Sequence, residues 1–386
     1  MKKEWEFDSK AYERFLKLMM VTSPSMEETA MAKFLNKRWK TANIGVSMDV
    51  MGNIHAVVNP NAFIHIGLIA HMDTVAIQIT KVCDNGLMQF RSIGLRPHTL
   101  LGQPMKILTL KGFIDGVIGF DPISQFGQPK GLVENDLWLD IGATDYNDAI
   151  NKVSVGDLAV LVPRCISLGD DCISGTGIDD RIGLFVITEC MDWGFGYYPN
   201  VCLHLIGTTQ EEIGLRGAAI IAAQYQLNAC FVVDVDYATD TFTPHENQMG
   251  PLHLGKGVGL HIKSDNNPML RELVCNVAEQ CGISFQKSVG RFIYGGTDAT
   301  SIQLQFKGIA TLNINVPCRY MHSPIEICNK RDVESAIRLL TECIEKISIT
   351  ERNSFIPKFD YDFIDNKENE NSSINNTSQS CRNSIE

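Results

Sequence analysis

The stretch Thr208-Thr209-Gln210-Glu211-Glu212-Ile213-Gly214-Leu215-Arg216-Gly217-Ala218 follows directly on Val201-Cys202-Leu203-His204-Leu205-Ile206-Gly207, an apolar run that reads as a buried strand. Glu211 and Glu212 then lie at the carboxyl end of that strand, where open α/β sheets keep their ligand sites. Adjacent carboxylates at a buried position raise each other's pKa, so the pair can divide labour, one binding a metal and the other staying free as a base. On these residues alone the two are interchangeable. An acidic helix N-terminus stabilised by the macrodipole accounts for the same letters.

Outward from this stretch, 386 residues exceed what one core ordinarily organises and point to about two domains. The composition, 44% hydrophobic and 20% charged, is that of a soluble globular protein. No apolar run approaches the roughly 20 residues of a membrane-spanning helix. The opening Met1-Lys2-Lys3-Glu4-Trp5-Glu6 is basic like a signal peptide but lacks its apolar centre and cleavage site, so a cytoplasmic protein is expected. A formal charge of -11 with no basic stripe argues against nucleic acid as a partner. The 12 cysteines include no Cys-x-x-Cys pair, and Cys190, Cys202 and Cys230 lie inside apolar runs, so they read as reduced, buried hydrophobes.

Along the chain, Tyr12, Phe15, Leu16 and Met19 have helical spacing that Thr22-Ser23-Pro24 interrupts. Ser25 with Glu28 fits a capping box for a second helix carrying Ala30, Phe34 and Leu35. Val46 to Val50 alternates, Gly52-Asn53 turns the chain, and Ile54 to Val58 completes a hairpin. Ile64 to Ala70 is an apolar strand that ends in His71-Met72-Asp73, an imidazole with a carboxylate near enough to orient it. From Thr74 to Arg164, short alternating runs between Gly, Pro and Asn predict an inserted all-β unit, a small barrel or sandwich. Its Asp136, Asp140, Asp145 and Asp148 are irregularly spaced and read as solvated.

Beyond the insertion, Asp179-Asp180 stands at a loop-to-helix junction, and the buried strand Ala229 to Val233 ends at Asp234, with Asp236 two residues on. His253 to Gly259 is glycine-rich but matches no phosphate-binding fingerprint. A helix from Pro268 to Gly282 and a strand near Ser284 to Val289 lead to Gly295-Gly296-Thr297-Asp298-Ala299, where Asp298 is either a helix-end charge or a group behind a site. The strand Thr311 to Pro317 exits into Arg319-Tyr320-Met321-His322-Ser323, and a helix spans Lys330 to Ile347. The polar tail 351–386 is Asn- and Ser-rich and is expected to be disordered from about 365.

His71, Asp179, Glu212, Asp234 and His322 thus all fall at strand or helix ends, with Glu211 beside them. If one carboxylate bridges, each of two metals receives the bridge and two further ligands, which leaves room for the shared hydroxide of a two-metal hydrolase. Mixed nitrogen and oxygen ligands favour zinc, cobalt or manganese over a thiolate-seeking metal.

Taken in order, His71-Met72-Asp73, Asp179-Asp180-Arg181-Ile182-Gly183, Gln210 to Ala218, Gly295 to Ala299 and Arg319 to Ser323 resemble the tetrahedral aminopeptidases, the glutamyl/leucyl aminopeptidase group of dinuclear metallopeptidases. Leu100-Leu101-Gly102-Gln103 and Leu137 to Ala143 resemble that family's β-domain. The resemblance implies a mixed central sheet flanked by helices, of the zinc-dependent exopeptidase type, with an inserted β-barrel-like dimerisation domain. It divides the chain into a discontinuous catalytic domain, 1–73 and 165–350, and an insertion, 74–164.

It further implies that Asp179 bridges two ions, zinc or cobalt with manganese possible in their place. His71 and Asp234 complete one ion, and Glu212 and His322 the other. Glu211 is then the general base, Asp73 holds the imidazole of His71, and Asp180 supports the bridging loop. A hydroxide shared by the ions attacks the first peptide bond of substrates with a free amino terminus. Dimers built through the β-domain assemble into a homo-oligomer of twelve.

Where the family commonly has Glu and Gly, this chain has Thr74 and Ala76. His-x-Asp-Thr-Val also occurs in related zinc carboxypeptidases and deacylases, which keep a helix-rich lid late in the chain where this chain has an early β-rich insertion. A non-catalytic assembly protein of the same fold is the other alternative, and the completeness of the ligand-and-base set weighs against it.

Overall fold

Gly52, at a φ of +91° that a side chain would disfavour, turns the chain between β1 (Gly45–Met48) and β2 (Ile54–Val58), an antiparallel pair with Met48 opposite Ile54. The expected hairpin is therefore present in the computed structural model, which describes residues 5–40, 44–121, 131–194, 198–242, 245–291, 293, 295–349 and 355. The polar tail lies outside the described residues except for Phe355.

β3 (Ile64–His71) is buried from Ile66 to its end. The chain then leaves the main sheet for β4 (Ala76–Val82), β5 (Met88–Ile93), β6 (Pro104–Thr109), β7 (Gly112–Phe120), β8 (Leu137–Asp140) and β9 (Leu158–Leu161). These strands close a barrel in the order β4-β5-β8-β7-β6-β9, around its own core of residues such as Ile77, Met88, Met105, Ile107 and Leu139. Closure pairs every edge, so the alternating insertion needs no further sheet to cover it.

β10 (Cys165–Leu168) and β11 (Cys172–Gly175) form a hairpin. The chain then returns to the main sheet through β12 (Val201–Thr208), β13 (Ala229–Tyr237), β14 (Val258–His261), β15 (Phe285–Ser288) and β16 (Thr311–Cys318), while β17 (Glu326–Asn329) joins β11. The main sheet has eight strands in the order β1-β2-β12-β3-β13-β16-β14-β15. Its middle strands β12, β3, β13 and β16 are mutually parallel, so their carboxyl ends emerge on one side. The helices Ser9–Met19, Thr29–Trp39, Ile178–Gly194, Pro268–Cys281 and Lys330–Ser348 help bury one large core. A smaller core takes in Ile69, Ile206 and Val232 with the helices Arg216–Ala222 and Ala299–Ile302. Among the described residues, no helix is long and apolar enough to cross a membrane.

The capping box expected at Ser25 and Glu28 does not form. Glu28 occupies the cap position of Thr29–Trp39 without a side-chain cap bond, and its Oε1 accepts from the N–H groups of Met26 and Gln210 instead. The Ser25 hydroxyl donates to Asp73 Oδ2 at 2.7 Å. Both side chains tie the N-terminal segment to the strand-end loops, where buried polar groups need partners more than an exposed helix end does.

Candidate active site

Four middle strands deliver the expected residues to one place. His71 ends β3, Glu211 and Glu212 follow β12, Asp234 lies in the last half of β13, and His322 follows β16. Asp179 and Asp180 open the Ile178–Gly194 segment in non-helical conformations, joined by a cis peptide bond, and regular helix begins after them. His322 and Gln210 have φ near +60°, a region uncommon for side-chain-bearing residues outside constrained sites.

Asp179 stands at the centre. Its Oδ1 lies 2.9 Å from His71 Nε2 and its Oδ2 lies 3.2 Å from His322 Nε2. Asp234 Oδ1 is 3.9 Å from His71 Nε2, and Glu212 Oε2 is 3.2 Å from His322 Nε2. Ligands about 2.0–2.2 Å from a shared tetrahedral ion stand roughly 3.3–3.6 Å apart, so small adjustments would seat a cation in each half. Glu212 Oε1 is buried with no hydrogen-bond partner, an orphaned acceptor of the kind a cation satisfies. The donor set is nitrogen and oxygen only, which suits zinc, cobalt or manganese.

The two imidazoles are aimed in the same way. His71 Nδ1 lies 3.0 Å from the carbonyl of Asp73, and His322 Nδ1 lies 3.1 Å from the carbonyl of Gly94, so in each ring Nδ1–H can donate and Nε2 is left facing the carboxylates. The Asp73 carboxylate is farther from His71, at 3.4 Å. That carboxylate is committed elsewhere, accepting from the N–H groups of Glu211 at 3.0 Å and Glu212 at 3.1 Å as well as from Ser25. Asp73 therefore places the paired glutamates as much as the histidine. Asp180 accepts from His71 N–H and Gly183 N–H, joining the β3 end to the helix start.

Burial raises the pKa of Glu211, and Asp234, Glu212 and Asp298 add to it against the relief from His71. Asp234 and Glu212 are raised for the same first reason, with Asp179 adding to both. Burial also works against ionised Asp179, but hydrogen bonds with His322 and His71 outweigh it and hold that carboxyl well below the usual range. For His322, burial favours the neutral ring, and Asp179 and Glu212 overcome it and push the pKa up to about 12. The proton held there compensates the same negative charge that a cation would.

Several further groups complete the site. Glu326 is fully buried, its two oxygens accepting from the N–H groups of His322 at 2.8 Å and Asp179 at 3.2 Å, and burial followed by Asp179 raises its pKa to about 8. Its place four residues after His322 is the one clue in the sequence. The Arg181 guanidinium, also buried, donates to Met72 O, Val21 O and Ser23 Oγ. Asp298 accepts from Thr208 Oγ1 at 2.5 Å and makes no cap bond, so of its two expected roles it takes the one behind the site. Asp236, two residues past Asp234, pairs with His261 at 2.7 Å. A cavity of about 370 Å³ opens over His71, Asp179, Glu211 and His322.

A sequence model of the M42 glutamyl aminopeptidase family matches residues 52–339. The chain belongs to that family. The lysyl aminopeptidase of Pyrococcus furiosus is 28% identical to this aminopeptidase over 310 residues, 78% of this chain and 87% of the relative. An aminopeptidase structure from the archaeon Desulfurococcus kamchatkensis superposes with a TM-score of 0.82 at 28% identity, covering 88% of this chain and 96% of the other. The TET1 peptidase of Pyrococcus horikoshii, which can assemble into a tetrahedron or a large octahedral shell, gives a TM-score of 0.77 at 28% identity, covering 86% and 98%. This aminopeptidase is a peptide-bond hydrolase of the metal-dependent class, and its mixed sheet and closed barrel are those expected from its motifs.

Proposed function

We propose that the enzyme removes amino-terminal residues from peptides with two divalent cations, zinc or cobalt, with manganese able to replace them. The observation that carries this reading is Asp179, whose two oxygens face different histidines, each with its own further carboxylate. His71, Asp179 and Asp234 would hold one ion, and Glu212, Asp179 and His322 the other. When bound, the ions supply Lewis acidity, lowering the pKa of water and polarising the scissile carbonyl.

Glu211 is the group left for proton transfer. Burial keeps its proton affinity high, so it can take a proton from the attacking water and deliver it to the leaving amine. Asp73 fixes this base by accepting from its backbone N–H. In Glu211→Gln the two bound cations should remain by elemental analysis while turnover of an unblocked peptide falls by about 10²–10⁴. Retained turnover would assign the base elsewhere, and loss of the cations would make Glu211 a ligand.

The catalytic unit in this reading is 1–73 with 165–350, and the barrel unit 74–164 forms dimers that build twelve-subunit shells, as the tetrahedral assembly of the horikoshii relative suggests. A mass measurement in solution tests it, and a stable monomer overturns it. No disulfide joins any of the described cysteines, which supports a reducing, cytoplasmic setting that cell fractionation can check.

A further inference from the structure

At the opposite ends of β3 and β12, away from the carboxylates, stands a second group of donor atoms that the catalytic reading does not use. His65 and Cys202 are register partners, and His204 comes opposite Gly67, where no side chain intervenes. His204 Nε2 lies 2.9 Å from His65 Nδ1 and 3.3 Å from Cys202 Sγ, and all three donor atoms fall within 4.8 Å of one another. Cys202 and His204 are buried, and His65 is half-buried at the rim. On the inner side His204 Nδ1 meets His55 Nε2 at 3.0 Å, and Tyr225 packs against both rings.

We propose that His65 Nδ1, Cys202 Sγ and His204 Nε2 bind one zinc-class divalent cation, about 20 Å along the strands from the catalytic residues, with water as fourth ligand on the His65 side. Zinc–nitrogen and zinc–sulfur bonds of about 2.0 and 2.3 Å in a tetrahedron separate nitrogens by about 3.3 Å and nitrogen from sulfur by about 3.6 Å. The present spacings are short of these by a few tenths of an ångström, which small side-chain rotations of His65 and Cys202 can open. The imidazole–imidazole contact to His55 supplies orientation: His204 Nδ1–H donates to His55 Nε2, leaving His204 Nε2 as the lone-pair nitrogen for the ion. In that arrangement His55 carries its proton on Nδ1, an atom buried with no hydrogen-bond partner, a desolvation cost that binding of the ion has to outweigh. Binding breaks the Cys202 S–H bond, the sulfur keeps the electron pair as thiolate ligand, and one proton passes to solvent.

Burial supports the neutral forms that precede binding. It lowers the His204 pKa to about 3, with His55 and His65 adding, and pushes the Cys202 thiol up to about 11. A cation that takes the neutral His204 imidazole and displaces the Cys202 thiol proton fits this pocket. The all-oxygen-and-nitrogen catalytic site cannot produce a thiolate spectrum, so the two sites are separable by spectroscopy.

The test is to strip the full-length enzyme with a chelator, titrate it with cobalt(II), and record the sulfur-to-cobalt charge-transfer band together with bound metal by elemental analysis. The wild type should develop the band to one equivalent, and Cys202→Ser should lose it and hold one ion fewer per chain. His65→Ala, a change at the half-buried rim, should weaken the band's apparent affinity at least tenfold. Because wild type and variant are compared by difference, occupancy at the catalytic carboxylates cancels, and failure of the two-cation reading would leave this result unaffected. A wild type with no band, or a band that survives in Cys202→Ser, would overturn the site and leave the three side chains as a hydrogen-bonded cluster.

Discussion

The two ends of strands β3 and β12 place histidines in the same sheet but in opposite electrostatic settings. At the carboxyl end His71 and His322 meet Asp179, Asp234 and Glu212, and although burial favours their neutral rings, the carboxylates draw both pKa values upward. At the other end His55 and His204 meet each other, and burial drives them down to about 4 and about 3, with only Asp49 opposing it at His55 and the neighbouring histidines adding to it at His204. Burial has one sign for both pairs, and partner charge decides the outcome. A histidine in a buried strand is therefore informative about chemistry only once the acids around it are known.

The comparison breaks most visibly if its central acid is neutralised. Asp179→Asn removes the one carboxylate shared by both histidines while keeping its shape, so the two cations proposed around it should be lost and turnover should fall by more than about 10³. Circular dichroism should show the fold intact. Full activity with two ions retained would mean that the bridge lies elsewhere.

A smaller effect is expected where the barrel touches this end. Gly94 has a φ of +74°, and a β-carbon there would lie 2.3 Å from Val75 Cγ1 and 3.3 Å from Glu212 Oε2, so Gly94→Ala must displace Val75 or the loop whose carbonyl accepts from His322 Nδ1. Losing the partner that aims a ligating imidazole costs about 10–100-fold in metal affinity or activity. Zinc titration of the stripped variant should show one of the two sites around Asp179 weakened and the other unchanged. Equal weakening of both would show that the barrel supports the whole site and not His322 alone.

How much of this was legible beforehand follows from where each group sits. His71, Asp179, Glu212, Asp234 and His322 stand at the ends of strongly patterned elements, and an apolar strand that terminates in a charged residue is visible in a single sequence. The barrel's alternation was equally plain, and only the choice between barrel and sandwich needed the pairing of β4 with β9. Glu326, Gly94 and Arg181 could not be found in this way, because each acts by meeting a segment distant in the chain. Ser25 and Glu28 misled for a definite reason: their spacing satisfies a helix-capping rule, yet Asp73 and Gln210 offer buried partners that the local rule cannot anticipate.

The smallest expected effect concerns the far end and is read on stability, in chelated enzyme so that no cation intervenes. His55 faces His204 from β12 and the Tyr225 ring, with Asp49 the nearby charge that favours its protonation, and burial still carries its pKa from 6.5 down to about 4. The unfolded chain therefore binds more protons between those values, so this histidine's contribution is intact above pH 6.5 and is lost as pH falls toward 4. At pH 5.5 one such group costs about 1.4 kcal/mol, or tenfold in the folding equilibrium. His55→Phe keeps a ring against Tyr225 and has nothing to titrate, so the stability difference between pH 7.5 and pH 5.5, measured by urea unfolding, should narrow by about that amount relative to wild type. The raised groups of the catalytic end contribute a slope of the opposite sign in both proteins and cancel in the comparison. An unchanged difference would mean that solvent reaches His55 and that the two ends of the strands are less unlike than their partners imply.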